Sequence, residues 1–423
     1  MRWKKRRRPG ERGAPVDYRT FEFAPAPDER GKVVLGKRLR SYKLAGMENA
    51  LRISRRQLLG ALPLAAAGSG GFYRIGKVKG RQCFLDPAGR PFFSIGMNHV
   101  DSAPLRTDDT WRREFGNDTE RWLKTVRTDL QSWGFNSVGW VQEYVSISDQ
   151  HHRHSRSFTP EEYRWLNMPY GHLLPFIESH QWEIETRLPK VDSAGFAEWC
   201  DYVARDQCSR YRDDPRLIGY FYTDCPVWVH TKPDNAWRGA LFDAKELETA
   251  AGRAELSRLA THYYRTLHQA IRRYDPNHLI LGDRYEARAP LPEEVVRAAS
   301  PFVDVLSFQC FSPPSEMRTT LERWASLSGK PVLLADAAHW AKPFTPGWPP
   351  REDRQHDAAQ YADALNALLD LPACVGYHLC GAYVKNNARR YGFRDARNRV
   401  EPHVVAMAHA NHAALARFRK EIG

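Results

Sequence analysis

Short apolar runs alternate with amphipathic segments of helical periodicity from residue 91 to the end of the chain. The runs are rich in β-branched and aromatic residues and too short for helices, which is typical of strands buried on both faces of a parallel sheet. Each run precedes a helical segment, and the eight predicted strands are 91–97, 137–140, 171–177, 217–222, 278–282, 303–308, 331–335 and 375–379. Eight strand–helix units in succession predict an α/β fold, a single (β/α)8 barrel of the TIM type.

The domain organisation follows from the same pattern. No break in composition divides residues 71–423, so we expect one barrel domain there. A small N-terminal β-hairpin, with strands near 72–75 and 82–85, precedes the first barrel strand, and we expect it to close the N-terminal mouth. A long insertion is expected over about 145–167.

The formal net charge of +13 is concentrated at the N-terminus. Residues 1–60 hold 17 Lys or Arg and 6 Asp or Glu, which leaves +2 for the rest of the chain. A nearly neutral barrel offers no broad basic surface to phosphate groups. We therefore predict no nucleic-acid partner.

Residues 1–46 are basic and aperiodic, and we predict that they are disordered. Residues 47–70 contain SRRQLL (54–59), which resembles a twin-arginine export signal, and a moderately apolar run that is too short to span a bilayer. This predicts transient contact with the twin-arginine export machinery, no stable membrane anchor, and a periplasmic or secreted protein. The alternative is a basic amphipathic helix that stays in the cytoplasm. If the signal operates, Met47 is the better start, and residues 1–46 are an artefact of start-site assignment.

We expect that deletion of residues 1–67 leaves the melting temperature unchanged, because we predict that this segment packs on nothing. Thermal unfolding of the full and shortened chains checks this. A large drop would make the leader part of the fold.

Cofactor and metal signals are weak. The seven cysteines form no C-x-x-C pair, so neither a disulfide framework nor a zinc site is predicted. We interpret the HHRH run (151–154) as a solvated loop, and Asp224, His230 and His339 lack the spacing of a metal-ligand set. We predict no metal and no cofactor.

Polar side chains follow seven of the eight predicted strands at their C-terminal ends. These ends meet at one mouth of the barrel, where TIM-barrel enzymes place their chemistry. Clustered carboxylates repel, so one is pushed towards protonation while another stays ionised, and glycoside hydrolysis requires such a pair. The residues are Asn98, His99, Glu143, Asp224, Asp283, Glu286, Gln309, Asp336 and His378.

Six tryptophans are predicted near the same mouth. Indole rings suit the apolar faces of sugar rings, although any one of them is as readily explained by loop packing. They are Trp140, Trp182, Trp228, Trp237, Trp340 and Trp348.

Four stretches also carry a family resemblance. GRPFFSIGMNH (89–99) resembles the first strand of β-agarase-like glycoside hydrolases of clan A. Residues 217–228, 330–336 and 376–393 resemble their fourth, seventh and eighth strands. The resemblance covers about 75–415 and implies retaining hydrolysis, with an acid/base at the end of strand 4 and a nucleophile at the end of strand 7.

The chain departs from the family pattern at both positions. The Asn-Glu pair expected on strand 4 falls on Asp224 and Cys225, and Asp336 stands where the family has Glu. Two side chains shortened by a methylene widen the carboxylate gap by about 2 Å, from roughly 5–5.5 Å towards the inverting range. Inversion therefore stays open beside retention.

We predict Asp336 as nucleophile or base and Asp224 as general acid, with Asp283, held ionised by Arg284, as a third catalytic candidate. The predicted substrate-binding residues are Asn98, His99, Glu143, Trp140, Trp228, Gln309, Trp340 and His378. These residues predict a glycosidase acting on an extracellular or periplasmic polysaccharide or oligosaccharide, such as an agar-like galactan. The alternatives are a non-catalytic carbohydrate-binding barrel that has lost the strand-4 acid/base and a metal-dependent barrel hydrolase.

Overall fold

The computed structural model describes residues 71–106, 109–148, 151–177, 188–230, 242–287, 291–342, 352–386 and 389–422. The predicted leader and export signal lie outside the described residues, as do Trp182, Trp237 and Trp348.

Strands account for the apolar runs of the sequence. In chain order they are β1 (Arg74–Val78), β2 (Arg81–Leu85), β3 (Pro91–Phe92), β4 (Ser94–Met97), β5 (Ser137–Val138), β6 (Tyr144–Ser148), β7 (His151–His154), β8 (Tyr170–Leu173), β9 (Leu217–Asp224), β10 (Val229–His230), β11 (Phe242–Asp243), β12 (Leu279–Glu286), β13 (Leu306–Gln309), β14 (Val332–Ala337) and β15 (Cys374–Leu379).

Eight of these strands form a closed barrel in the order β4, β5, β8, β9, β12, β13, β14, β15. Every neighbouring pair is parallel, and β15 pairs with β4 to complete the ring. The predicted single (β/α)8 barrel is therefore confirmed. The eight barrel strands correspond one for one to the eight predicted runs.

Helices connect the strands and cover the barrel. They are α1 (Thr110–Phe115), α2 (Thr119–Ser132), α3 (Pro160–Leu166), α4 (Ala194–Tyr211), α5 (Ala250–Tyr274), α6 (Glu293–Ala299), α7 (Pro314–Ser328), α8 (Ala358–Leu369) and α9 (Val404–Ile422). Side-chain caps fix several starting points; Asp118, for example, accepts hydrogen bonds from the backbone N–H groups of Glu120 and Arg121 before α2. Among the described residues, no helix combines the length and the apolar character that a membrane crossing requires.

The core has two layers because alternate residues of a strand point to opposite faces. One layer fills the barrel and is made of Ile218, Phe221, Leu279, Leu281, Val305, Leu333 and Val375, among others. The larger layer lies between the strands and the helices. Successive side chains near a strand end therefore point alternately into the barrel interior and towards the helix layer.

The predicted hairpin is present as β1 and β2, with β3 added to its edge. Tyr73 and Phe84 join the apolar layer inside the barrel, and the Gln82 N–H donates to the carbonyl of Pro372 at 2.8 Å. The hairpin thus closes the N-terminal end of the barrel, and the C-terminal end is left for a site.

Two features differ from the sequence prediction. The expected insertion after the second strand contains an antiparallel pair, β6 and β7, and helix α3. Strand β12 continues to Glu286, four residues beyond its predicted end, with register shifts on either side of Gly282. Gly282 has φ 71°, a backbone conformation that favours glycine. The extension decides which of the following side chains face into the barrel.

Candidate active site

One arginine joins the carboxylates of the fourth and seventh barrel strands. Arg284 of β12 donates from Nε to Asp224 Oδ1 at 2.7 Å, and its Nη1 lies 3.6 Å from Asp336 Oδ2. The planar guanidinium spans only about 2.3 Å between those nitrogens, so the two carboxylates lie within about 9 Å of each other. That limit admits both the retaining and the inverting spacing.

The guanidinium of Arg284 is buried beneath a tryptophan. Its Cζ lies 4.2 Å from the centroid of Trp140, a cation–π contact, and the arginine side chain has no exposed surface. Within the described residues, neither Nη1 nor Nη2 of Arg284 has a hydrogen-bond partner, and neither does Oδ2 of Asp336. Buried donors and an acceptor so close together suit a ligand hydroxyl, which both accepts and donates.

Asn98 orients the carboxylate of Asp336 from the end of β4. Its Nδ2 donates to Asp336 Oδ1 at 2.7 Å and to the carbonyl of Ala335 at 2.8 Å, while its Oδ1 accepts from the backbone N–H of Trp140 at 2.9 Å. A Cβ at Gly139 would come within 2.2 Å of that Oδ1, so only glycine allows this approach. The predicted neighbourhood of Asn98 and Asp336 is thus observed.

His99 adopts a left-handed backbone conformation with φ 62°, which is uncommon outside glycine. Its Nδ1 donates to the Gln142 carbonyl at 2.7 Å, and its Nε2 lies 3.9 Å from Asp336 Oδ1. A carbonyl oxygen only accepts, so the Nδ1 proton is assigned by this contact. The ring therefore presents Nε2 to the carboxylate.

Opposing effects act on the protonation of Asp336. Burial raises the pKa of its carboxyl, the positive charge of Arg284 lowers it, and the negative charge of Asp224 raises it. Hydrogen bonding from Asn98 and the charge of Arg389 lower it further, and the net direction is upward. Such a carboxylate is more basic than a solvated one, which suits a base or nucleophile.

Glu143 forms a second buried ion pair, with Arg389. Nη1 of Arg389 also donates to the Tyr391 hydroxyl at 3.0 Å and lies 3.6 Å from Cys380 Sγ. Sequence reasoning missed Arg389, because nothing in its neighbourhood marks a basic residue as buried. The two guanidinium groups neutralise much of the negative charge that the strand ends bring together.

Four further residues predicted at the strand ends or the rim lie around Arg284 and its two carboxylates: His378, Glu286, Gln309 and Trp340. His378 forms part of its floor: Nε2 is 2.9 Å from Ser94 Oγ, and burial, with the charge of Arg284, lowers the pKa of the ring to about 3. Gln309 Nε2 donates to Glu286 Oε2 at 3.0 Å at the rim. Trp340 is partly exposed and packs on His356 and Tyr391, with centroid separations of 5.0 and 4.5 Å.

The structure places Asp283 and Trp228 behind the barrel wall, away from Asp224 and Asp336. Asp283 accepts hydrogen bonds from the hydroxyls of Tyr263 (3.0 Å) and Tyr264 (2.8 Å) on α5. The Trp228 ring packs on the same two tyrosines and is 1% exposed. Because Arg284 faces the barrel interior, its neighbour in the strand, Asp283, faces the helices. Arg284 therefore pairs with Asp224 and Asp336, and not with Asp283 as predicted.

Asp283→Asn is expected to flatten the pH dependence of stability. Burial raises the pKa of Asp283 to about 6, against the opposing hydrogen bonds of Tyr264, Thr223 and Tyr263, whereas an unfolded Asp titrates near 3.9. The folded state binds the proton more tightly, so this stabilisation is complete below about pH 4 and is lost as the pH rises through about 6. A pKa difference of this size corresponds to roughly 3 kcal/mol.

Urea unfolding of wild type and Asp283→Asn between pH 4 and pH 8 measures this effect. The difference between their free energies of unfolding should change by that amount across the range. Parallel profiles would mean that Asp283 titrates alike in the folded and unfolded chains.

A metal-ligand set can be drawn from His99, Asp336 and Cys380, whose ligand atoms lie within 4.8 Å of one another. The donor types suit zinc. However, Arg284 and Arg389 bring two positive charges to the same atoms. Burial also raises the pKa of Cys380, which favours the neutral thiol over the thiolate that binds metal. The residues therefore fit an ion-paired polar site better than a cation site.

Comparison with known proteins gives a short sequence match and a wider likeness of fold. No family model matches the chain. Among curated proteins, β-agarase B of Vibrio sp. (strain JT0107) is 27% identical over 127 residues, which make up 29% of this chain and 13% of that protein. The match thus involves a small part of that relative.

Three solved structures, two of them of agarases, share the fold. AgWH50C, an agarase, superimposes with a TM-score of 0.62 at 17% identity, covering 84% of this chain and 64% of that one. An exo-β-agarase gives 0.61 at 16% identity, covering 83% and 66%, so the chain spans slightly less than two thirds of either protein. A third structure, BpGH50, gives 0.56 at 16% identity with 82% of both chains covered. At these identities the likeness concerns the barrel fold.

Proposed function

We propose that this protein is a glycoside hydrolase that acts on an agar-type galactan or its oligosaccharides. The observation that carries the proposal is the joining of Asp224 and Asp336 through Arg284 at the C-terminal end of the barrel. Two carboxylates from opposite parts of the ring, within about 9 Å, form the arrangement that glycosidic bond cleavage requires. The agarase-like fold and the short match to a β-agarase support this choice of substrate class.

In the proposed mechanism, Asp336 acts on the anomeric carbon, either directly as nucleophile or through a water molecule as base. Asn98 donates a hydrogen bond to its carboxylate, His99 Nε2 lies 3.9 Å from it, and burial keeps it basic. The Nη atoms of Arg284 and Oδ2 of Asp336, which make no hydrogen bond within the described part of the chain, bind sugar hydroxyls. Trp340 at the rim supplies a partly exposed ring for a neighbouring sugar.

Release of reducing ends from agarose and agaro-oligosaccharides tests this function, with an α-glucan and a β-glucan as comparison polymers. Turnover restricted to the galactans is the expected result. Turnover of the glucans alone would remove the proposed substrate class, and the anomer first released would separate retention from inversion.

A carbohydrate-binding barrel without turnover is the second candidate. It is favoured by Cys225, which stands where the family pattern has the acid/base Glu of strand 4. Galactan binding by calorimetry without any release of reducing ends, over a wide pH range, would establish this function instead.

Export is part of the proposal and rests on SRRQLL at 54–59. A reporter that needs export for activity, fused after residue 70, should be active in a bacterial host. The Arg55→Lys/Arg56→Lys pair should abolish export. Equal activity of both fusions would remove the twin-arginine assignment.

A further inference from the structure

Glu286, the last residue of β12, is a carboxylate at the rim that the proposed pair does not use. It lies two positions beyond Arg284 in the strand, so both side chains point to the same face. Arg284 lies inside the barrel against Trp140, which places Glu286 on the inner face as well, about 6.6 Å further towards the C-terminal mouth. Glu286 is partly exposed there, whereas Asp224 and Asp336 are buried.

The strand register aligns Glu286 with Asp336. Gln309 of β13 pairs with Glu286 on one side and with Asp336 on the other. Neighbouring strands lie about 4.8 Å apart, so the Cα atoms of the two acidic residues are roughly 10 Å apart. Side chains that converge inside a closed barrel approach each other more closely than their Cα atoms. The carboxyl groups are therefore expected to fall in the range of about 5–9.5 Å that glycosidases use.

Gln309 and Cys225 are neighbours of Glu286 at the rim. Gln309 Nε2 donates to its Oε2 at 3.0 Å, which orients the carboxyl group. Cys225 lies close to both Asp224 and Glu286: burial raises the pKa of its thiol, and the charges of Asp224 and then Glu286 raise it further.

Asp224 is poorly suited to donate a proton. Its Oδ1 accepts from Arg284 Nε at 2.7 Å in a buried ion pair, and a guanidinium at that distance stabilises the ionised carboxylate. A general acid must hold its proton before the bond breaks. Glu286, two positions beyond Arg284 in the chain, is therefore a better candidate for the general acid than Asp224, which was predicted from the sequence.

We infer that Glu286 is the general acid, and that Asp224 stays ionised and positions Arg284. This inference rests on the proposed glycosidase function. As the bond between the anomeric carbon and the glycosidic oxygen breaks, its electron pair leaves with the oxygen, which takes the proton of Glu286. Asp336 forms the new bond to the anomeric carbon, or accepts a proton from the water that forms it. In the former case, water later displaces Asp336 and returns a proton to Glu286.

Substrates whose leaving groups differ in their need for protonation distinguish a general acid from a residue with a structural role. Glu286→Gln is compared with Asp224→Asn, the matched carboxylate-to-amide change, on agaro-oligosaccharides and on a 2,4-dinitrophenyl glycoside of the same sugar. Dinitrophenolate leaves without protonation, so loss of a general acid spares this substrate. Glu286→Gln should lose about 10²–10⁴-fold in kcat/KM, which reports the step that expels the leaving group, on the oligosaccharide and less than about tenfold in kcat/KM on the aryl glycoside. Asp224→Asn should affect both substrates alike.

A second variant, Glu286→Ala with and without azide, keeps the test valid if the glutamine variant folds poorly. Azide should restore turnover of the aryl glycoside if hydrolysis is retaining. Equal losses on both substrates in Glu286→Gln, or a leaving-group dependence confined to Asp224→Asn, would overturn the assignment. A wild-type protein inert towards both substrates would remove the proposed function, and the role of Glu286 with it.

Discussion

Asp336→Asn is expected to lower kcat/KM on an agar-type galactan by about 10³-fold or more. The variant has the same shape but loses the charge that attacks the anomeric carbon or activates water. The amide oxygen of the new side chain can still accept the hydrogen bond from Asn98, so the fold and sugar binding should persist. Because burial already raises the pKa of Asp336, loss of its charge should cost the folded state little.

Initial rates, thermal unfolding and calorimetric binding of the sugar check this prediction. Asp283→Asn is the matched control, since it makes the same change in a buried carboxylate that faces α5. Its activity should stay within about threefold of wild type. Rates near wild type in Asp336→Asn would take Asp336 out of the mechanism.

Arg284→Met is expected to cost about 3–5 kcal/mol of stability, as when a buried ion pair loses one partner. The substitution leaves Asp224 and Asp336 buried without the cation between them. Met retains much of the volume beneath Trp140, so the loss should arise from charge rather than from a cavity. Activity should disappear as well, because the two carboxylates lose their common anchor.

Urea unfolding at pH 7 measures this loss. The double variant Arg284→Met/Asp224→Asn should recover part of it by removing one of the stranded charges. Arg253→Met provides the surface comparison, since its ion pair with Glu294 is solvent-exposed and should contribute less than about 1 kcal/mol. Equal effects of Arg284→Met and Arg253→Met would contradict the assigned role of the buried arginine.

The places of the eight barrel strands in the chain were predictable, because burial on both faces produces continuous apolar runs. Strand β9 begins at the predicted residue and ends two residues beyond the predicted run, since that apolar run marks it clearly. Asn98, Asp224 and Asp336 follow or end such runs, and the structure brings all three together. Their catalytic roles remain predictions.

Which side chains beyond Gly282 face the barrel interior could not be predicted in the same way. The apolar run ends there, but hydrogen bonding continues to Glu286 through shifts of register. Sequence reasoning therefore placed Asp283 at the site with Arg284 beside it, whereas Arg284 and Glu286 are the residues on the inner face. The tryptophans show the same limit, since Trp228 packs in the helix layer and Trp140 packs against the Arg284 guanidinium.

The sequence by itself determined the barrel, its order of strands and the end at which polar residues collect, because hydrophobic periodicity is a local property. Tertiary structure alone decided which charges meet: the pairing of Arg284 with Asp224 and Asp336, the Glu143–Arg389 pair and the level of Glu286 beside Asp336. Those contacts depend on strand register and closure of the ring, which link residues far apart in the chain and leave no periodic trace in it.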